Sequence, residues 1–271
     1  MLHVTPHEVR IPALGLGTFG LNGRVAERIV GHALAAGYRH VDTAQMYGNE
    51  AEVGAAIRHA SVPRDQIWLT TKVWPDRFRA DDLLRAADES VRRLGTEPDL
   101  LLLHWPNPGV PLEETVGALN EAKSRGHARH IGISNFTTAL IREAVAHSPA
   151  PLLVNQVEYH PYLDQSAVLG ELERHGMTLI AYSPIGRGAV FRDRTLQRIG
   201  EAHGKNPGQV TLRWLLQQGV AAIPRSAREA HVEANLAVFD FALSDDEMAE
   251  ISSLARPDGR MVQPAVGPDW D

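Results

Sequence analysis

The chain has no cysteine. That excludes disulfides, thiolate nucleophiles and zinc–thiolate centres, and it suits a cytoplasmic setting. No run approaches the ~18 apolar residues of a membrane span, and the opening "MLHVTPHEVR" lacks the apolar core of a signal segment. Positive charge is not in excess. Against 33 Asp and Glu stand 27 Lys and Arg, a formal net charge of −6, so there is no basic field to hold nucleic acid or anionic lipid. Low-complexity segments are also missing. What is present is 271 residues, 44% hydrophobic and 22% charged, enough to bury a full core.

Short apolar runs alternate with longer amphipathic ones. Strands are expected at 13–19, 38–44, 67–73, 99–105, 129–136, 152–159, 178–184 and 220–225. Most are apolar on both sides, as parallel strands buried on both faces must be. Helices are expected between them, over 26–37, 49–60, 80–95, 111–126, 137–148, 165–176 and 206–219. One more, over 228–239, follows the eighth strand. Gly37 and Gly95 act as stops and Asn49 as an N-cap. Eight strand–helix units without a composition break imply one (β/α)₈ barrel spanning residues 1–271 as a single domain. A doubly wound sheet would stop near six strands. The first residues read as a short hairpin turning near Pro6, and the Pro- and Gly-rich tail "RPDGRMVQPAVGPDWD" reads as irregular. Trp270 in that tail is either a lid over a pocket or a loose end.

The stretch "GLGTFG" (15–20) fits Gly-x-Gly-x-x-Gly, with Asp42 following at the distance a dinucleotide-binding turn requires. Yet Pro12 interrupts the segment before it, which argues against a central strand there. The glycines read instead as positions where backbone passes close to something at a barrel mouth, or as a structural turn.

Function in such a barrel sits where strands end. Those ends carry Asp42 with Tyr47 just beyond it, Lys72, His104, Ser134 with Asn135, Asn155 with Gln156, Tyr182 with Ser183, and Arg225 with Ser226. Any one polar residue at a strand end reads equally as a solvated side chain. Lys72 stands out, because it closes an apolar strand and a buried lysine requires a carboxylate, which Asp42 supplies. A cation beside Tyr47 would lower its pKa from about 10 and ready it to give a proton to an oxygen. Asp, Tyr, Lys and His without a serine elbow or metal cluster suit protonation of a carbonyl oxygen while a nicotinamide delivers hydride. His3 and His7 lack a third ligand, so no metal is expected. His127, His130 and His160 read as surface or structural residues.

Taken together, "DTAQMYGNE", "TKVW", "LLHWP", "GISNF", "NQVEYHPY", "AYSPIGRG" and "IPRSA" resemble the aldo-keto reductase superfamily, in family order from residue 11 to the C-terminus. The short loops and the "GRMVQP…PDWD" ending look most like bacterial 2,5-diketo-gluconate and methylglyoxal reductases. The resemblance implies Tyr47 as general acid, Lys72 with Asp42 lowering its pKa, and His104 orienting the carbonyl. It implies Ser134, Asn135 and Gln156 on the carboxamide and Tyr182 stacked on the nicotinamide. Ser183, Ile185 and Gly188 would line the pyrophosphate, with Arg225, Ser226, His231 and Asn235 at the adenosine end. Thr18 would lie near the nicotinamide, and Phe19, Met46, Trp74 and Trp105 would form an apolar substrate pocket.

Where the family pattern has Lys, Arg and an acid, this chain has Arg225, His231 and Ala234. Arg225 can grip a phosphate and Arg228 is a spare cation nearby. His231 is mostly neutral at pH 7, so it either contributes less to a 2′-phosphate or simply stacks on adenine. NADPH is therefore the expected cofactor, with NADH weaker or dual, and a monomer acting on a small carbonyl substrate is the expected form. Two other classes stay open. One is a cofactor-binding regulatory or structural barrel with little turnover. The other is an isomerase or aldolase using Lys72 as a Schiff base.

Overall fold

All eight expected barrel strands form, each trimmed at its ends. In the computed structural model, which describes residues 2–271, the chain opens with an antiparallel pair, β1 (His3–Val4) and β2 (Ile11–Pro12), joined by a 3₁₀ turn at Pro6–Glu8. The barrel strands are β3 (Leu16–Gly17), β4 (His40–Asp42), β5 (Trp68–Val73), β6 (Leu100–Leu103), β7 (His130–Ser134), β8 (Leu152–Glu158), β9 (Thr178–Tyr182) and β10 (Ala221–Ala222). They pair in sequence order and every pairing is parallel. The edges meet. Gly15 N–H donates to Ala222 O at 2.9 Å, Gly17 N–H to Pro224 O at 3.0 Å, and Ala222 N–H to Ala13 O at 2.7 Å. With no free edge left, the sheet is a closed barrel.

This seam explains the glycines of "GLGTFG". A Cβ on Gly17 would lie 2.8 Å from Ile223 O, and one on Gly15 would lie 2.7 Å from the His40 ring. The first strand can press against the last only without side chains. The close approach expected at a barrel mouth is thus an approach to the eighth strand and to His40, which is a packing requirement.

The outer layer is α1 (Gly23–Ala36), α2 (Glu50–His59), α3 (Ala80–Leu94), α4 (Leu112–Ser124), α5 (Thr138–Ala146), α6 (Ser166–Arg174), α7 (Arg194–His203), α8 (Pro207–Gln217), α9 (Glu229–Leu236) and α10 (Asp245–Ser252). Gly37 and Gly95 end their helices in the left-handed conformation, as expected of C-terminal stops. Two helices exceed the expectation. The sequence of α7 is mostly polar and buries only Leu196, Ile199 and Gly200, a face too narrow to read as periodic. α10 is announced by a capping box, with Ser244 and Glu247 exchanging side chain-to-backbone bonds. Asn49 does not cap α2 with its side chain; it has another use, described below. Among the described residues no helix is long and apolar enough to cross a membrane.

Candidate active site

The C-terminal ends of β4 and β5 place Asp42 beside Lys72, with side chains 2% and 0% exposed. The Lys72 Nζ donates to Asp42 Oδ1 at 2.5 Å and to Thr43 O at 2.9 Å. The second carboxylate oxygen of Asp42 accepts from Gln156 Nε2 at 2.7 Å. A charge pair this dry survives only when its remaining lone pairs and protons are bonded, and these bonds supply that. Burial pulls Lys72 below its ordinary 10.5, while Asp42 and then Glu50 hold it up.

Glu50 and Asn49 are the functional neighbours that sequence reasoning missed. Glu50 is buried, accepting from Thr71 Oγ1 at 2.6 Å and Arg93 Nε at 2.7 Å, so it is a second anion near Lys72. As the first residue of a helix it reads merely as a dipole complement. Asn49 accepts from Thr43 Oγ1 at 2.6 Å and donates to Thr18 O and Leu21 O at 3.0 and 2.8 Å. It ties the loop after β3 to the loop after β4, which carries Tyr47.

Tyr47 sits on a 3₁₀ turn, Gln45–Tyr47. Its half-buried ring stands edge-on to Phe19 at 5.1 Å and His104 at 5.7 Å, with Lys72 Nζ 5.1 Å from its centroid. The sequence-based expectation that Lys72 lowers the Tyr47 pKa is reversed in the ligand-free protein. Burial, and then the charge of Asp42, raise it well above 10. The physical reason is that burial disfavours the phenolate and the Asp42 carboxylate adds to that, while the Lys72 ammonium is bonded to Asp42 and Thr43 O. His104, buried against Trp74 at 5.1 Å, is held well below 6.5 by burial and then by Lys72. It is therefore a neutral imidazole, and its Nδ1 is enclosed without a partner.

Ser134, Asn135, Gln156 and Tyr182 converge next to this group, but their polar atoms face one another. Ser134 Oγ donates to Gln156 O at 2.7 Å. Asn135 gives its amide hydrogens to His104 O and Ser134 Oγ at 2.9 and 3.0 Å, and its carbonyl accepts from Tyr182 Oη at 2.8 Å. A carboxamide would have to draw on Gln156 and the second lone pair of Asn135 or displace these bonds. Thr18 likewise spends its hydroxyl on Asp42 O at 2.9 Å. Asn135 and Ser183 hold left-handed φ values of 64° and 48°, the sparsely populated backbone that gathers at functional sites.

Further round the mouth, Ile185 packs against the core, and Gly188 turns at φ 92° with nothing within 4 Å of where a Cβ would be. That open backbone fits a phosphate. Arg225 is exposed, its Nε and Nη2 donating to Phe19 O at 3.0 Å and Gly20 O at 3.1 Å. Ser226 closes a local turn onto Arg228. His231 is exposed on α9, and Asn235, half-buried one turn on, bonds the Tyr38 hydroxyl. The expected pocket wall is split. Phe19 is 59% and Met46 46% exposed at the rim, whereas Trp105 is buried. A cavity of about 380 Å³ adjoins Met46 and Trp74, with Glu50, Glu89 and Arg93 in its wall. Trp270 is anchored, standing edge-on to Trp105 at 6.2 Å, and Asp271 accepts from Thr138 N and Oγ1 at 2.8 and 3.0 Å. His160, read from sequence as surface or structural, is fully buried against Glu158.

A closed barrel that gathers a buried Lys–Asp pair, a tyrosine and a buried histidine at the C-terminal ends of its strands has the groups that carbonyl oxidoreduction requires. The comparisons agree. The family described as aldo/keto reductase matches residues 13–256. Methylglyoxal reductase DkgB of Escherichia coli O157:H7 is 40% identical, with 96% of this chain and 99% of that one covered. Morphine 6-dehydrogenase of Pseudomonas putida is 39% identical over 91% and 88%. A crystal structure of a "putative 2,5-diketo-D-gluconic acid reductase B" superposes with a TM-score of 0.98, 51% identity, and coverage of 100% and 98%. The chain belongs to the aldo/keto reductase family and is an oxidoreductase of that kind.

The depressed His104 pKa carries a stability consequence. An unfolded histidine takes up a proton near pH 6.5, while His104 in the fold resists it. The unfolded chain thus binds more protons as pH falls through 6.5, and stability drops, by up to ~1.4 kcal/mol per pH unit per group. His104→Gln should show a shallower fall in thermal midpoint between pH 6.5 and 5 than the parent. Identical slopes would mean that His104 protonates freely in the fold.

Proposed function

We propose that this protein reduces small aldehydes and activated ketones, of the methylglyoxal or 2,5-diketo-gluconate type, to alcohols with NADPH, and that Tyr47 is the general acid. The observation carrying this reading is the geometry that sets the Tyr47 ring 5.1 Å from the ammonium of the buried Lys72–Asp42 pair and edge-on to His104 at 5.7 Å. A tyrosine carries its proton at neutral pH and can give it to a carbonyl oxygen placed against it. When bound, a reduced nicotinamide supplies the hydride. As negative charge builds on the carbonyl oxygen, Tyr47 gives up its proton, and the resulting phenolate lies near the Lys72 cation, whose third N–H has no acceptor among the described residues. The neutral His104 orients the carbonyl without adding a second cation beside Lys72. The apolar faces of Trp74 and Trp105 exclude water and strengthen these interactions.

The preference for NADPH over NADH rests on Arg225 and on Arg228, whose guanidinium makes no ion pair among the described residues. To grip a phosphate, Arg225 must leave the Phe19 and Gly20 carbonyls, and a histidine, His231, stands where the family pattern has an arginine. We therefore expect a moderate preference with measurable NADH activity.

Turnover can be followed by loss of reduced-nicotinamide absorbance with methylglyoxal, 4-nitrobenzaldehyde and 2,5-diketo-gluconate. Tyr47→Phe should cut kcat by about a hundredfold or more with NADPH affinity nearly unchanged. Near-normal turnover would remove Tyr47 from the role. In the same assay His231→Arg should tighten NADPH relative to NADH, and an unchanged ratio would place His231 away from the 2′-phosphate.

A further inference from the structure

The irregular tail carries a cation that the chemistry above does not use. Arg260 Nη1 is closed off from solvent with no acceptor, and no carboxylate among the described residues lies within ion-pairing distance of Arg260. Two acids, Glu158 and Asp271, act on its charge without touching it, and both are already bonded elsewhere, Asp271 to Thr138 and Glu158 to His160 and the tail. Glu158 accepts from His160 Nε2 at 3.0 Å and from the backbone N–H groups of Met261 and Val262 at 2.9 and 3.0 Å. These last two bonds pin the tail immediately after Arg260, so its position is set by the fold. The guanidinium lies 3.5 Å from the centre of the Trp270 ring, Trp270 leans on Trp105, and Trp105 follows His104 in the chain. On its other side Arg260 is close enough to Tyr182 for the two to interact electrostatically. A half-buried guanidinium with no carboxylate in direct contact is costly to keep. Its planar fork, stacked on an indole, is matched to a carboxylate.

We propose that Arg260 is the receptor for a carboxylate on the substrate, so that the preferred substrates are oxo acids whose carbonyl meets Tyr47 and His104 while their acid group meets Arg260 and Trp270. This deepens the carbonyl-reductase reading and rests on it. Arg260 here determines specificity, binding the end of the substrate that does not react. The same fork could be filled by a phosphate of the cofactor, so the test separates the two anions.

The experiment compares the parent protein, Arg260→Met and Arg260→Lys on two aldehydes of nearly equal shape, 4-carboxybenzaldehyde and 4-nitrobenzaldehyde. Binding of benzoate, with benzamide as the neutral control, is followed separately by quenching of tryptophan fluorescence. Arg260→Met should lose about tenfold or more in kcat/KM for the carboxylated aldehyde, chiefly through KM, the scale of one hydrogen bond to a charged group. It should stay within about twofold on the nitro compound, as a neutral ligand forfeits no such bond. Arg260→Lys should recover part of the loss. Benzoate should bind the parent more tightly than benzamide, and that difference should vanish in Arg260→Met. Equal losses on both aldehydes, or unchanged benzoate binding, would overturn the proposal. A weakened NADPH affinity in Arg260→Met with substrate selectivity intact would also overturn it and assign the fork to the cofactor. If the parent reduced neither aldehyde, the reductase reading would fail, and the benzoate titration would still decide whether Arg260 holds a carboxylate.

Discussion

The contact between Lys72 and Asp42 is the constraint from which the rest of the site follows. A lysine with no exposed side chain stands in the barrel only because a carboxylate from the neighbouring strand meets it. That carboxylate in turn accepts a second bond from Gln156 of β8, while Thr18, in the loop after β3, bonds the Asp42 backbone carbonyl. Three of the eight strands, β4, β5 and β8, are thereby tied to one pair of charges. Glu50 brings in α2, and through Arg93 it brings in α3. Such a network is of most value for uniqueness, since a buried pair contributes little net stability over apolar packing while a half-broken one is very costly. The result is a mouth in which Tyr47 keeps its proton and His104 stays neutral.

The recovery of eight strands from sequence has a simple cause. Strands such as "DLLLLHW" and "TLIAYSP" are buried on both faces and flanked by polar segments, so their boundaries coincide with changes in composition. α7 escaped because most of its surface faces water. The polar strand-end residues were also legible, since a barrel gathers strand ends whatever their order in the chain. Their protonation and bonding were not. The direction of the Tyr47 shift is set by how far its hydroxyl is buried and by its distance from Asp42, which no spacing in the chain encodes. Asn49 shows the same limit. Its type and place suggest a helix cap, yet its side chain reaches across to Thr18, Leu21 and Thr43. For the opening glycines the motif was real but its cause was different, being the closure of the sheet.

The tail illustrates how an irregular segment becomes ordered without secondary structure. Glu158 holds it at Met261 and Val262, Trp270 lies under the Arg260 guanidinium and edge-on to Trp105, and Asp271 caps the start of α5 at Thr138. These fastenings come from β8, the segment after β6 and α5. The tail is thus attached to the barrel by the same elements that position Gln156 and His104.

The account stands or falls on whether Lys72 and Asp42 act as one unit. A double-mutant cycle in chemical denaturation, using Lys72→Met, Asp42→Asn and the two combined, measures this directly. Each single change should cost about 3–5 kcal/mol by stranding its partner's charge, and the double variant should cost clearly less than the sum of the two. Additive costs would contradict the account, because they would mean that the two groups are held independently and that the pair does not organise the site.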